Sequence, residues 1–195
     1  MTTPIELAEA IQAVLVELRS DYASFCRDGD VVDSRAPISE ADIVSEIRSR
    51  LLSVAERWGY TIHQEIRAVT DDLPGTTHIK HLPRLDLVLL DDDGGDSWLE
   101  AAKGLQDRYA KGPIEARFLA VPSRFIRTAI EVKIQSLPVN SKKDIDGLRL
   151  LRDQHPTCGC FFVLLNARGM VSDHEKIAQY GEEAGIPVIE YSARR

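Results

Sequence analysis

Apolar residues recur at three-to-four spacing in two stretches near the start of the chain. Ile11, Val14, Leu15, Leu18, Tyr22 and Phe25 form the first stripe. It opens on Thr3-Pro4-Ile5-Glu6, which supplies a capping hydroxyl, a proline at the first helical position and a glutamate able to reach back to the cap. Ile43, Val44, Ile47, Leu51, Val54 and Trp58 form the second stripe, started by Ser39 with Asp42 three residues on and ended at Gly59. A polar connector over 27–37 separates the two helices. The period then changes: residues 60–69 and 83–90 read as strands around a turn at 71–75, the second apolar enough for a sheet interior. The run Asp91-Asp92-Asp93-Gly94-Gly95-Asp96 stops it.

Beyond that run the pattern predicts an insertion over about 91–123, holding a short helix near 99–109 and a Pro-bounded loop. A strand over 125–135 follows, then a helix capped by Ser141 and running to 154, and a strand over 159–165. A last helix capped by Ser172 or Asp173 and a strand over 187–191 close the chain. The order from residue 39 is α-β-β-β-α-β-α-β without an internal repeat. This predicts an α/β fold, a mixed β-sheet flanked by helices, as one unit over 39–195 preceded by an extra N-terminal helix and connector over 1–38. The apolar stripe of that first helix must be covered by the rest of the chain, by a second copy in a homodimer or by a partner protein.

Composition narrows the class. With 44% hydrophobic and 28% charged residues in 195, the chain is globular rather than disordered, and long enough to bury a core without a staple. Three cysteines, with no second CxxC or His pair beside Cys158 and Cys160, read as reduced packing residues rather than zinc ligands. No apolar run approaches the ~18 residues of a membrane span, and Glu6, Glu9 and Glu17 precede the first basic residue, Arg19. A cytoplasmic protein is expected. The net charge of −7 opposes a broad cationic face for nucleic acid, although carboxylates that hold divalent cations are neutralised in use.

Candidate chemistry centres on 129–135. Strict alternation places Ile130, Val132 and Ile134 on one face of a strand and Glu131, Lys133 and Gln135 on the other. Taken alone, this is an amphipathic strand with a solvated Glu-Lys pair. In the strand over 83–90, however, Asp86 stands among residues apolar on both faces, and burying it unpaired would cost several kcal/mol. Either Arg84 on the same face or a metal ion shared with Glu131 can satisfy it. At about 100° per residue, Glu40 falls at the middle of the buried stripe of Ile47, Leu51 and Trp58, where it serves the helix dipole or a site against the sheet. Glu46 falls about 120° away, toward water.

Glu40 on a helix, Asp86 in one strand and Glu131-x-Lys133 in the next resemble the PD-(D/E)xK, or restriction-endonuclease-like, nuclease superfamily. The resemblance spans 39–165, with Leu85 where that family often has proline and a longer stretch between Asp86 and Glu131, hence the insertion. It implies a restriction-endonuclease-like core and a metal-dependent nuclease (a hydrolase and endonuclease) that cuts DNA with Mg²⁺ or Mn²⁺. It further implies that Asp86, Glu131, the Val132 carbonyl and Glu40 ligate metal, and that Lys133 orients or deprotonates the attacking water. Gln135 extends the same face toward the water or the DNA backbone. In this family the next helix lies beside the site, which implies DNA-backbone contact by Lys142 and Lys143 unless they only solvate a helix face. The contrasting reading is an inactive nuclease-like domain serving as a binding or assembly module.

The remaining candidates are weaker. His78 and His81 read as loop residues, and His63, His155 and His174 have no companions at catalytic spacing. The chain has no GxxxxGK[ST], no GxGxxG after a strand and no GxSxG, which removes the usual grounds for an NTPase, a dinucleotide enzyme or a serine hydrolase.

Overall fold

The structure, a computed structural model, describes residues 4–25, 39–69, 84–92, 95–109, 119–134, 138–166 and 171–192. The connector over 27–37, the turn at 71–75, Cys26, His78, His81 and Gln135 lie outside them. The two N-terminal stripes form α1 (Pro4–Phe25) and α2 (Glu40–Trp58). Ser39 begins α2 as its spacing to Asp42 requires: its hydroxyl accepts from the Asp42 N–H at 3.2 Å, and the Asp42 carboxylate accepts from the Ser39 N–H at 2.8 Å. Gly59 ends the helix at φ 74°, a left-handed conformation that glycine adopts without steric cost.

β1 (Thr61–Val69), β2 (Arg84–Leu90), α3 (Trp98–Tyr109), β3 (Ala120–Pro122), a short 3-10 turn (Ser123–Phe125) and β4 (Ile126–Ile134) come next. α4 (Pro138–Gln154), β5 (Gly159–Asn166), α5 (Val171–Ala184) and β6 (Val188–Ser192) complete the chain. The strands form one mixed sheet in the order β3-β1-β2-β4-β5-β6. β2 runs antiparallel to both β1 and β4, while β5 and β6 continue parallel to β4.

Helices cover both faces of the sheet. On one, Leu7, Ile11, Leu15 and Leu18 of α1 and Ile43, Ile47 and Leu51 of α2 pack with Leu87, Leu89, Ile130 and Val132. On the other, Ala102 of α3, Ile145, Leu148 and Leu151 of α4 and Ile177 of α5 pack with Val88, Leu90, Ala129 and Phe162. Cys158 and Cys160 are buried, free thiols in this second core. Leu7, Ile11, Leu15 and Leu18 of the α1 stripe are buried within this chain, where α1 packs against α2, β5 and β6. Among the described residues no helix is long and apolar enough to cross a membrane.

Two sequence expectations are corrected. Residues 120–122 are the edge strand β3, parallel to β1, rather than loop; three residues are too few to show a period, and Pro122 is tolerated at an edge. α4 starts at Pro138, so Ser141 is not its cap but a fully buried residue within it. A proline at the first helical position, preorganised for the turn, sets the start.

Candidate functional site around Lys133

The site lies where β2 and β4 part. Their ladder ends at Leu87↔Ile130, and the next backbone donor, the Val132 N–H, gives its hydrogen bond to Asp86 Oδ2 at 2.8 Å. Asp86 thus replaces a strand as the partner of β4 and opens a gap between two otherwise apolar strands. The β1 ladder is interrupted at the same level. Its register passes from Gln64↔Leu87 to Ile66↔Leu85, which leaves Glu65 opposite Asp86. Glu65 has φ 54°, and among the described residues it is the non-glycine residue in the left-handed region, a local strain of the kind that collects at functional sites. Arg84 pairs with Glu65 at 2.9 Å, so that guanidinium serves Glu65, while Asp86 is served by β4.

Alternation sets the chemistry on one side. Asp86 shares its face with Val88 and Leu90, and Glu131 and Lys133 share theirs with Ala129, the face covered by α3, α4 and α5. Glu40 belongs to α2 on the other side of the sheet and reaches the gap from its first turn. Lys133 Nζ stands 3.4 Å from Glu40 Oε1, 3.6 Å from Glu131 Oε2 and 3.7 Å from Asp86 Oδ2. The candidates Glu40, Asp86, Glu131 and Lys133, from three elements, are brought together, and Val132 contributes its backbone beside Asp86. Glu46 faces water as expected, its side chain 43% exposed and paired with Arg50 at 2.9 Å on the outer side of α2.

A fourth carboxylate completes the group. Asp144 Oδ2 of α4 lies 3.7 Å from Lys133 Nζ. Asp144 is not among the candidates read from the sequence. The available signal was position: it falls three residues after Ser141 and four before Leu148, on the buried stripe of that helix.

One ammonium cannot satisfy four carboxylates. Burial pushes the Glu131 carboxyl well above the usual carboxylate range; Asp86 beside it adds to this, and Lys133 opposes it. Burial likewise raises Glu40 and Asp144 against the pull of Lys133. For Lys133, burial acts downward, but Glu131, Asp86, Glu40 and Asp144 together overcome it and raise its pKa above that of an ordinary lysine. With no cation beside them, the four carboxylates favour the ammonium form of Lys133.

The donors suit a hard divalent cation, since all are carboxylate oxygens and their negative charge exceeds that of the one ammonium. As they stand, no three His, Cys, Asp or Glu among the described residues make a group that could hold a metal ion. Lys133 Nζ stands among the four carboxylates, 3.4–3.7 Å from each.

Lys142 and Lys143 occupy the second turn of α4 rather than its start. Lys142 pairs with Asp146 at 2.8 Å and lies over the Tyr180 ring, 5.7 Å from its centroid. Lys143 is exposed. Two pairs lie outside this group: Ser123 Oγ and His155 Nε2 at 2.8 Å, with Ser123 fully buried, and His174 Nδ1 with Glu190 at 2.9 Å. Both tie elements together. The chain matches no protein-family model and none of the curated proteins.

Proposed function

We propose that this protein is a metal-dependent nuclease of the restriction-endonuclease-like fold that hydrolyses phosphodiester bonds of DNA. The observation that carries the reading is the meeting of Asp86, Glu131, Glu40 and Lys133 at one point, with Lys133 within 3.4–3.7 Å of each carboxylate. The element order supports it: a helix, then β1, β2 and β4 as three antiparallel strands, a helix, and β5 parallel to β4 is the order such a core takes. α3 and β3 are the inserted element, and β3 extends the sheet beside β1.

In this reading Asp86 and Glu131, with the Val132 carbonyl, hold Mg²⁺ or Mn²⁺, and Glu40 assists from the outer side. When bound, the ion neutralises charge gathering on the scissile phosphate and acidifies the attacking water. Lys133, as an ammonium, binds a phosphate oxygen and fixes the direction of attack. The apolar walls of β2 and β4 exclude bulk water and strengthen these charge contacts. Lys143 and Lys142 supply backbone contacts from α4.

The test is incubation of plasmid, linear and single-stranded DNA with Mg²⁺ or Mn²⁺. Wild type cleaves, and Lys133→Ala, with an unchanged circular dichroism spectrum, loses cleavage by about 10²-fold or more. Equal cleavage by the variant refutes the assignment. A second reading, a nuclease-like binding or assembly module, is favoured by one observation: Lys133 already serves as an internal counter-ion for the carboxylates. It prevails if calorimetry shows that neither metal binds.

A further inference from the structure

We propose that Asp144 is a positioning residue of this site, forming with Glu40 an outer anchor that keeps the Lys133 ammonium in place when a divalent cation enters between Asp86 and Glu131. The inference rests on the nuclease reading and adds to it a residue and a division of labour.

The four carboxylates are not equivalent. The Asp86 and Glu131 side chains are 11% and 4% exposed, whereas Glu40 and Asp144 are 42% and 27% exposed, so a dry inner pair faces a wetter outer pair across Lys133. The inner pair is anchored to the sheet, Asp86 through the Val132 N–H. The outer pair comes from helices on opposite faces of the sheet. Lys133 donates to outer Glu40 at 3.4 Å, while inner Asp86 and Glu131 stand at 3.7 and 3.6 Å, beyond hydrogen-bond distance and held by charge. An ammonium held this way, on a flexible stem, can move without breaking a directed bond to the inner pair.

A divalent cation on the inner pair repels that ammonium. With no outer anchor the side chain would leave for solvent, and its charge would be lost to the phosphate. Glu40 is the first residue of α2. Asp144 lies inside α4, its backbone fixed by the buried neighbours Ser141, Ile145 and Leu148. It therefore limits the ammonium to a short outward step.

The test compares wild type, Asp144→Asn, Asp144→Glu and Asp86→Asn. Mn²⁺ affinity without DNA is measured by calorimetry, Mg²⁺-dependent DNA cleavage is resolved into kcat and KM, and folding is checked by circular dichroism. For Asp144→Asn we expect Mn²⁺ affinity to fall far less than for Asp86→Asn, KM to hold and kcat to drop by about 10²-fold, the cost of a misplaced catalytic group. Asp144→Glu, which keeps the charge, should recover most of kcat. An Mn²⁺ loss as large as that of Asp86→Asn makes Asp144 a ligand and overturns the proposal. So does an unchanged kcat in Asp144→Asn while wild type binds Mn²⁺ and cleaves. Wild type that neither binds Mn²⁺ nor cleaves overturns the nuclease reading as well.

Discussion

Glu131→Gln removes a proton-binding group from the driest corner of the site with almost no change of shape. Glu131 is 3% exposed, within hydrogen-bond reach of Asp86, and 3.6 Å from the Lys133 ammonium. At an effective dielectric of about 20, opposite charges at that separation attract by about 5 kcal/mol, and two ionised carboxylates in contact repel by a similar amount. The two effects cancel. What remains is the desolvation of a buried carboxylate, several kcal/mol, which favours the protonated form. The Glu131 pKa is accordingly raised, by burial first and Asp86 second. A group that holds its proton more tightly when folded gives its full contribution to stability below the ordinary glutamate pKa of about 4.3, and loses it as pH rises through the raised folded value. Glu40 and Asp144, also raised, act in the same direction. Metal-free wild type should therefore be more stable at pH 5 than at pH 8. Glutamine imitates the protonated acid, so the variant should match wild type at pH 5 and exceed it by about 2 kcal/mol at pH 8, a Tm gain of about 4–8 °C for a chain of this size. Thermal unfolding followed by circular dichroism in chelator between the two pH values checks this. A variant Tm at or below wild type at pH 8 would mean that the site holds Glu131 ionised, and the charge balance given above would be wrong.

Two further predictions concern the frame that carries the site. A Cβ on Gly181 would stand 2.2 Å from Val188 Cγ2 and 2.8 Å from the Ile186 carbonyl oxygen, so Gly181→Ala should overpack the joint between α5 and β6. We expect a loss of about 1–3 kcal/mol, read as a lower denaturant midpoint with an unchanged slope. Arg152 of α4 donates to the carbonyls of Ala184 and Gly185, where the helix dipole of α5 ends; Arg152→Ala should cost about 1–2 kcal/mol in the same assay, and Arg152→Lys should recover part of it.

The reading of the fold from sequence succeeded where periods ran long enough. α2 was legible from both ends, because Ser39 with Asp42 and then Gly59 each solve a stereochemical problem specific to a helix terminus. Asp86 was legible as an anomaly, since a lone carboxylate in an apolar strand must find a partner. Which partner was not legible: the sequence offered Arg84 or a metal ion shared with Glu131, and the structure gives the Val132 N–H and Lys133, because strand separation at this level is a tertiary property. The Glu65 irregularity opposite Asp86 has no residue-type signature, since glutamate is not a residue that favours positive φ. Asp144 was hidden among the charges of a helix whose start was misplaced by four residues, since a cap at Ser141 sets the first helical residue at 142 and α4 starts at Pro138. Its spacing to Ser141 and Leu148 puts Asp144 on the buried stripe, and the fold brings it within reach of Lys133.

The central claim is that Asp86 and Glu131 take a divalent cation in the place Lys133 now holds. Crystals soaked in Mn²⁺ and measured at its absorption edge test it most directly. The account predicts one anomalous peak bonded to both carboxylates, with the Lys133 ammonium displaced toward Glu40 and Asp144. Absence of a peak at saturating Mn²⁺, with Lys133 still centred among the four carboxylates, would contradict it.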